Sequence, residues 1–161
     1  MEILEFPNPA LKERAREVEP GYRDVKRLVK RMIKLMREAP GVGLAATQLG
    51  VQKRVIVLQP AEDEPAYALV NPRVVSTSDD SCTEEEGCLS LPGIVVPIER
   101  PASIVCQAQE IDGTPIDIEA DDLLARILQH EIDHLDGILI IDRASPEERR
   151  EALRRYRELH S

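Results

Sequence analysis

The stretch ADDLLARILQHEIDHLDG, residues 120–137, governs how the rest of the chain is read. Inside it lies His130-Glu131-Ile132-Asp133-His134. At 3.6 residues per turn, positions i and i+4 share a helix face, so both imidazoles can reach one metal ion. Glu131, beside them, is suited to take a proton from a metal-bound water. On a wheel of about 100° per residue, Asp122, Arg126, Gln129, Asp133 and Asp136 form a polar arc. Ala120, Leu123, Leu124, Ile127, Leu128 and Leu135 form the apolar arc, and His130, Glu131 and His134 fall within it. Ionisable groups on a buried stripe are costly without partners. The pattern therefore predicts a metal centre on a helix over 120–136, stopped by Gly137.

Two histidines leave a catalytic site one protein ligand short. His134-Leu135-Asp136-Gly137 begins the longer pattern in which a third histidine follows, but that position holds Ile140. A glutamate from a later helix would have to be Glu147, Glu148 or Glu151, too soon after Gly137 and on a highly charged segment. The cysteines remain. Cys106 alternates inward on a strand-like run, and Cys82 sits in a polar acidic loop. Cys88, between Gly87 and Leu89, is the remaining candidate. A His/His/Cys set with one open position is a catalytic site rather than a closed structural one.

Outward from this stretch, apolar residues at 25, 28, 29, 32, 33 and 36 predict a helix over Tyr22–Glu38, stopped by Pro40-Gly41. The Gly-rich GVGLAATQLG leads into RVIVLQ, which reads as a strand, and ALVNPRVVS as another. Thr77–Glu86 is acidic and reads as an exposed connection. From about Ile94 to Ala120 the pattern is β-rich, with Asp112-Gly113 as a hairpin signal. Ser145-Pro146-Glu147-Glu148 is a capping box that opens a last helix over 146–160. Strands in the middle and helices toward the ends predict an α+β chain.

The length of 161 residues fits one catalytic domain, 1–161. A net charge of −9 and only four aromatic residues argue against a nucleic-acid-coating surface or base-stacking platforms, so no sequence-specific nucleic-acid partner is expected. The longest apolar runs are far short of the roughly 20 residues a membrane helix needs. MEILEFPNP has no basic region followed by an apolar stretch, so a cytoplasmic protein is expected. An odd count of three cysteines does not make a disulfide framework.

Three motifs together resemble the peptide deformylase family. They are Gly41-Val42-Gly43-Leu44-Ala45-Ala46-Thr47-Gln48, Glu86-Gly87-Cys88-Leu89-Ser90, and Gln129 through Gly137; Pro7-Asn8-Pro9-Ala10-Leu11 is also similar. The resemblance spans roughly 3–142. It implies an α+β fold of small mixed and antiparallel sheets around the HExxH helix. The activity it implies is a metallohydrolase that removes the formyl group from N-formyl-methionyl nascent polypeptides and releases formate. It also implies Cys88, His130 and His134 as ligands of one divalent metal, Fe(II) in cells, with Zn, Ni or Co able to occupy the site. Glu131 is then the general base, and Gln48 and the Leu89 N–H are the donors to the reacting oxygen. Gly43, Leu44 and Gly87 offer backbone to an extended substrate. Ser90 and Gln129 are expected to support the site by hydrogen bonds, and Glu86 to pair with Arg100. The terminal helix, rich in arginine, is a candidate ribosome contact. The chain departs from relatives in the wholly apolar Gly93–Ile98, at the rim of the cleft, and in Leu139 and Ile140. The competing readings are another metal-dependent amidase or peptidase, and a non-catalytic ribosome-binding relative. The presence of Glu131, Gln48 and all three ligands weighs against the second.

Overall fold

The computed structural model describes residues 2–19 and 23–161. Among the described residues there are four α-helices: α1 (Val25–Glu38), α2 (Asp122–Leu135), α3 (Ile140–Arg143) and α4 (Pro146–Leu159). Seven strands accompany them: β1 (Gly43–Ala45), β2 (Val55–Leu58), β3 (Tyr67–Thr77), β4 (Ser81–Gly87), β5 (Val95–Pro101), β6 (Ser103–Gln109) and β7 (Pro115–Asp121). The predicted start of the first helix, Tyr22, lies outside the described residues.

β2 explains the architecture. All four of its residues, Val-Ile-Val-Leu, are buried, because both of its faces are covered. Ile56 and Leu58 join a core with Leu69, Cys106, Ala125, Leu128 and Leu135, between the sheet and α2. Val55 and Val57 join Met32, Met36 and Leu44, between the sheet and α1. A third core packs β5, α3 and α4 around Leu91, Val96, Ile98, Ile140 and Tyr156. The five-stranded sheet runs β1-β2-β3-β6-β7 and the two-stranded sheet β4-β5. All these ladders are antiparallel. The parallel element among the described residues is an isolated bridge between Arg16 and Lys53. The structure is thus α+β, with α2 between the two sheets.

Two expectations need correction. Thr77–Glu86 is exposed apart from Ser78 and Glu86, as expected, but it is not a connection, since most of it belongs to β3 and β4. On β4 only Glu86 is buried, so no apolar alternation marks the strand. The second helix begins at Asp122, not Ala120, because β7 runs directly into it. Three residues of the polar arc on this helix, Arg126, Gln129 and Asp133, are buried. The short helix α3 and strand β1 have too few residues to show a period.

Gly137 ends α2 as expected, at φ 75°. A Cβ there would stand 2.4 Å from the Lys12 carbonyl oxygen, so the amino-terminal segment packs against bare backbone. Arg54 and the Thr47 hydroxyl donate to the Leu135 and His134 carbonyls, which satisfies free acceptors at this helix end. α4 opens as its sequence predicts, with the Ser145 hydroxyl accepting from the Glu148 N–H.

Candidate active site

α2 carries His130, Glu131 and His134 into the space between the edge strand β1 and the end of β4. Cys88 follows β4 directly. One ligand atom from each of Cys88, His130 and His134 lies within 4.8 Å of the others. Cys88 Sγ and His134 Nε2 are 3.3 Å apart. For a tetrahedral ion with the bond lengths usual for zinc, the sulfur-to-nitrogen edge is about 3.5 Å. One thiol and two imidazoles, this close and mostly buried, fit a divalent metal of borderline softness.

His130 is turned by a carboxylate. Its Nδ1 is 2.9 Å from Glu86 Oε1, which leaves Nε2 free for a metal. Glu86 also accepts from Arg100 at 2.6 and 3.0 Å and from Arg126 at 2.6 Å. Burial alone would raise the pKa of Glu86, but the hydrogen bonds with His130 and Arg100, and then the charges of those two groups, bring it down to about 2. Arg100 continues to Asp133 at 2.9 Å, and Arg143 holds the same carboxylate at 2.8 and 3.0 Å. Glu86 and Arg100 pair as the sequence suggested. The ties to His130, Arg126, Asp133 and Arg143 were not foreseen, because a buried ion network leaves no periodic signal. The one available clue was an arginine and an aspartate recurring at helical spacing beside the histidines.

Glu131 is buried, and burial is the chief reason its pKa rises to about 7. Its Oε1 has no hydrogen-bond partner among the described residues. Burial, then the charge of His130, push the pKa of His134 well below its ordinary value and favour the neutral, ligating imidazole. Gln48 Oε1 accepts from the Ala45 N–H at 3.0 Å. Its Nε2 donates to Ser90 at 3.1 Å and lies 3.9 Å from Cys88 Sγ, so the amide faces the cluster. The Leu89 N–H donates to no backbone carbonyl among the described residues. Ser90 supports the site as expected. Gln129 does not, because its amide donates to the Pro101 and Ala125 carbonyls.

A cleft of about 810 Å³ is lined by Gly43, Gln48, Gly87, Cys88, Leu89, His130 and Glu131, with Val42, Val95 and Leu123 at its exposed apolar rim. The side chain of Leu44 is fully buried in the α1 core, so only its backbone, on the sheet edge, is available to a ligand. His134 is 1% exposed and sits behind the cleft wall.

A family model described as polypeptide deformylase matches residues 1–150. The chain belongs to the peptide deformylase family. It is 43% identical over 146 residues to the peptide deformylase of Agrobacterium fabrum, covering 89% of this chain and 86% of that one. It is 48% identical over 137 residues to that of Natranaerobius thermophilus, covering 85% and 87%. The crystal structure of a peptide deformylase from Legionella pneumophila matches with a TM-score of 0.92 at 36% identity, over 99% of this chain and 94% of that one. A peptide deformylase from Synechococcus elongatus in complex with actinonin matches with a TM-score of 0.91 at 34% identity, over 96% and 86%. Peptide deformylases are hydrolases, and the family is metal-dependent. Among the described residues, no helix is long and apolar enough to cross a membrane.

Proposed function

We propose that residues 1–161 form one catalytic domain that removes the formyl group from N-formyl-methionyl nascent peptides at the Cys88/His130/His134 cleft. The observation that carries this reading is the convergence of one thiol and two imidazoles beside a buried carboxylate that has a free oxygen.

The substrate lies extended between the edge of β1 and Gly87 at the end of β4, pairing its backbone with Gly43 and Leu44 by strand addition. Cys88, His130 and His134 would hold one divalent ion, which supplies an electrophile for the formyl carbonyl and makes a water molecule acidic. Glu131 takes the proton of the attacking water. The new C–O bond forms as the carbonyl oxygen gains negative charge. The Gln48 amide and the Leu89 N–H donate to that oxygen, and one such donor is worth about 2.7–4 kcal/mol. Glu131 then passes its proton to the leaving nitrogen as the C–N bond breaks, giving formate and a free methionyl amine.

Sulfur and nitrogen donors together suit Fe(II) in the cell, and zinc, nickel or cobalt in its place. The cytoplasm, where nascent chains emerge, is the compartment this reading implies. Contact with the ribosome through α4 is supported by exposed Arg150 and Arg157 alone. Arg149 is paired with Asp142, and Arg154 with Glu151 and Glu158.

The test is formate release from formyl-Met-Ala-Ser by the wild type and by Glu131→Gln, with metal measured in both. The variant is expected to keep its metal and to lose about 10²–10⁴-fold in turnover. Turnover within about tenfold of wild type would remove Glu131 from the proton transfers.

A further inference from the structure

Gly43 occupies a regular strand position, paired with Leu58. Its backbone has no positive φ that would demand glycine. Conformational freedom therefore does not account for the residue. Space does. A Cβ added at Gly43 would lie 2.6 Å from Glu131 Oε2 and 3.0 Å from both Cδ and Cγ of the same side chain. All three of its nearest atoms belong to Glu131. A real Cβ does not approach an oxygen that closely, so one of the two must move. The strand cannot yield easily, since Gly43, Leu44 and Ala45 are all buried and laddered to β2. The carboxylate is the mobile partner, and it is the group with a free oxygen at the cleft. Gly87 lines the same cleft, yet a Cβ there would meet nothing closer than the Ile94 carbonyl oxygen at 3.6 Å. The requirement is therefore local to the contact with Glu131.

We infer that Gly43 is a positioning residue: its missing side chain is the seat in which the Glu131 carboxylate rests, so β1 sets where the proton-transferring group stands. The inference rests on the deformylase reading for its kinetic consequence, but not for its steric content. The two parts are tested separately.

Gly43→Ala is expected to retain the metal and to bind formyl-Met-Ala-Ser with a KM within about threefold of wild type. Its kcat should fall by about 10²-fold, the lower end of what a displaced general base costs. A loss confined to KM, or kcat within about twofold of wild type, would overturn the inference. The second measurement needs no activity. Thermal unfolding is followed for wild type, Gly43→Ala, Glu131→Ala and the double variant. Gly43→Ala should lower Tm by about 3–8 °C when Glu131 is present, the scale of overpacking one methyl in a chain of this size. It should leave Tm unchanged within about 1 °C when Glu131 is already alanine. An equal drop in both backgrounds would show that the methyl clashes with something other than Glu131, and the inference would fail. If wild type released no formate while the Tm cycle came out as expected, the deformylase reading would fall and the steric seat would stand.

Discussion

Glu86 gives one carboxylate oxygen to His130 Nδ1 and to Arg100, and the other to Arg100 and Arg126. At 6% exposure it would be an expensive charge without these partners. With them it stays ionised, and it fixes which imidazole nitrogen faces the metal position. Partners of this kind typically contribute 10–100-fold to metal affinity. Glu86→Gln keeps the shape and loses the charge, so its metal affinity is expected to fall by that factor, read by competition against a chelator. Affinity within about twofold of wild type would mean that the ring of His130 is held by packing alone. The three clustered side chains, Cys88, His130 and His134, could be nominated from sequence because imidazoles and thiols are rare and their spacing is chemical. The carboxylate behind His130 could not, because position 86 lies 44 residues away and its neighbours read as a solvated acidic run.

Elements show the same contrast. The serine cap at Ser145 and the glycine stop at 137 were legible because caps are local chemistry. β4 was hidden because its one buried side chain is charged, so the strand has no apolar alternation to display. The burial of the polar arc on α2 was hidden for a related reason. Arg126 and Asp133 are covered by elements that answer their charge, and only the tertiary structure brings those elements near. α3 offers a test of such chemistry. Asp142 caps the Leu139 N–H at 2.9 Å and pairs with Lys12 and with Arg149. Burial opposes ionisation, but the hydrogen bonds from Lys12 and Leu139 win and hold its pKa below the ordinary aspartate value. A carboxylate with a lowered folded pKa stabilises fully above its unfolded value and loses that contribution as pH falls through the folded one. Asp142→Asn should therefore lower Tm at pH 7 by about 2–4 °C, on the order of 1 kcal/mol. The gap to wild type should shrink as pH drops below about 4. A gap that stayed constant from pH 7 to pH 3 would show that the charge is not what matters.

At the scale of the molecule, two sheets converge on one helix, α2. The five-stranded sheet packs against the buried side of α2, the two-stranded sheet covers its polar arc, and the cleft opens between the edge of β1 and the end of β4. This arrangement leaves backbone free for a peptide beside a carboxylate and three metal-binding side chains. The central claim is that metal held by Cys88, His130 and His134 makes this cleft a deformylase. The most direct measurement is formate released from formyl-Met-Ala-Ser before chelation, after chelation, and after stoichiometric Fe(II), Co(II) or Ni(II) is returned without oxygen. The account predicts release that disappears with the metal and returns with about one ion per chain. Release that persists in the fully chelated protein, or that no divalent metal restores in a chain still folded, would contradict it.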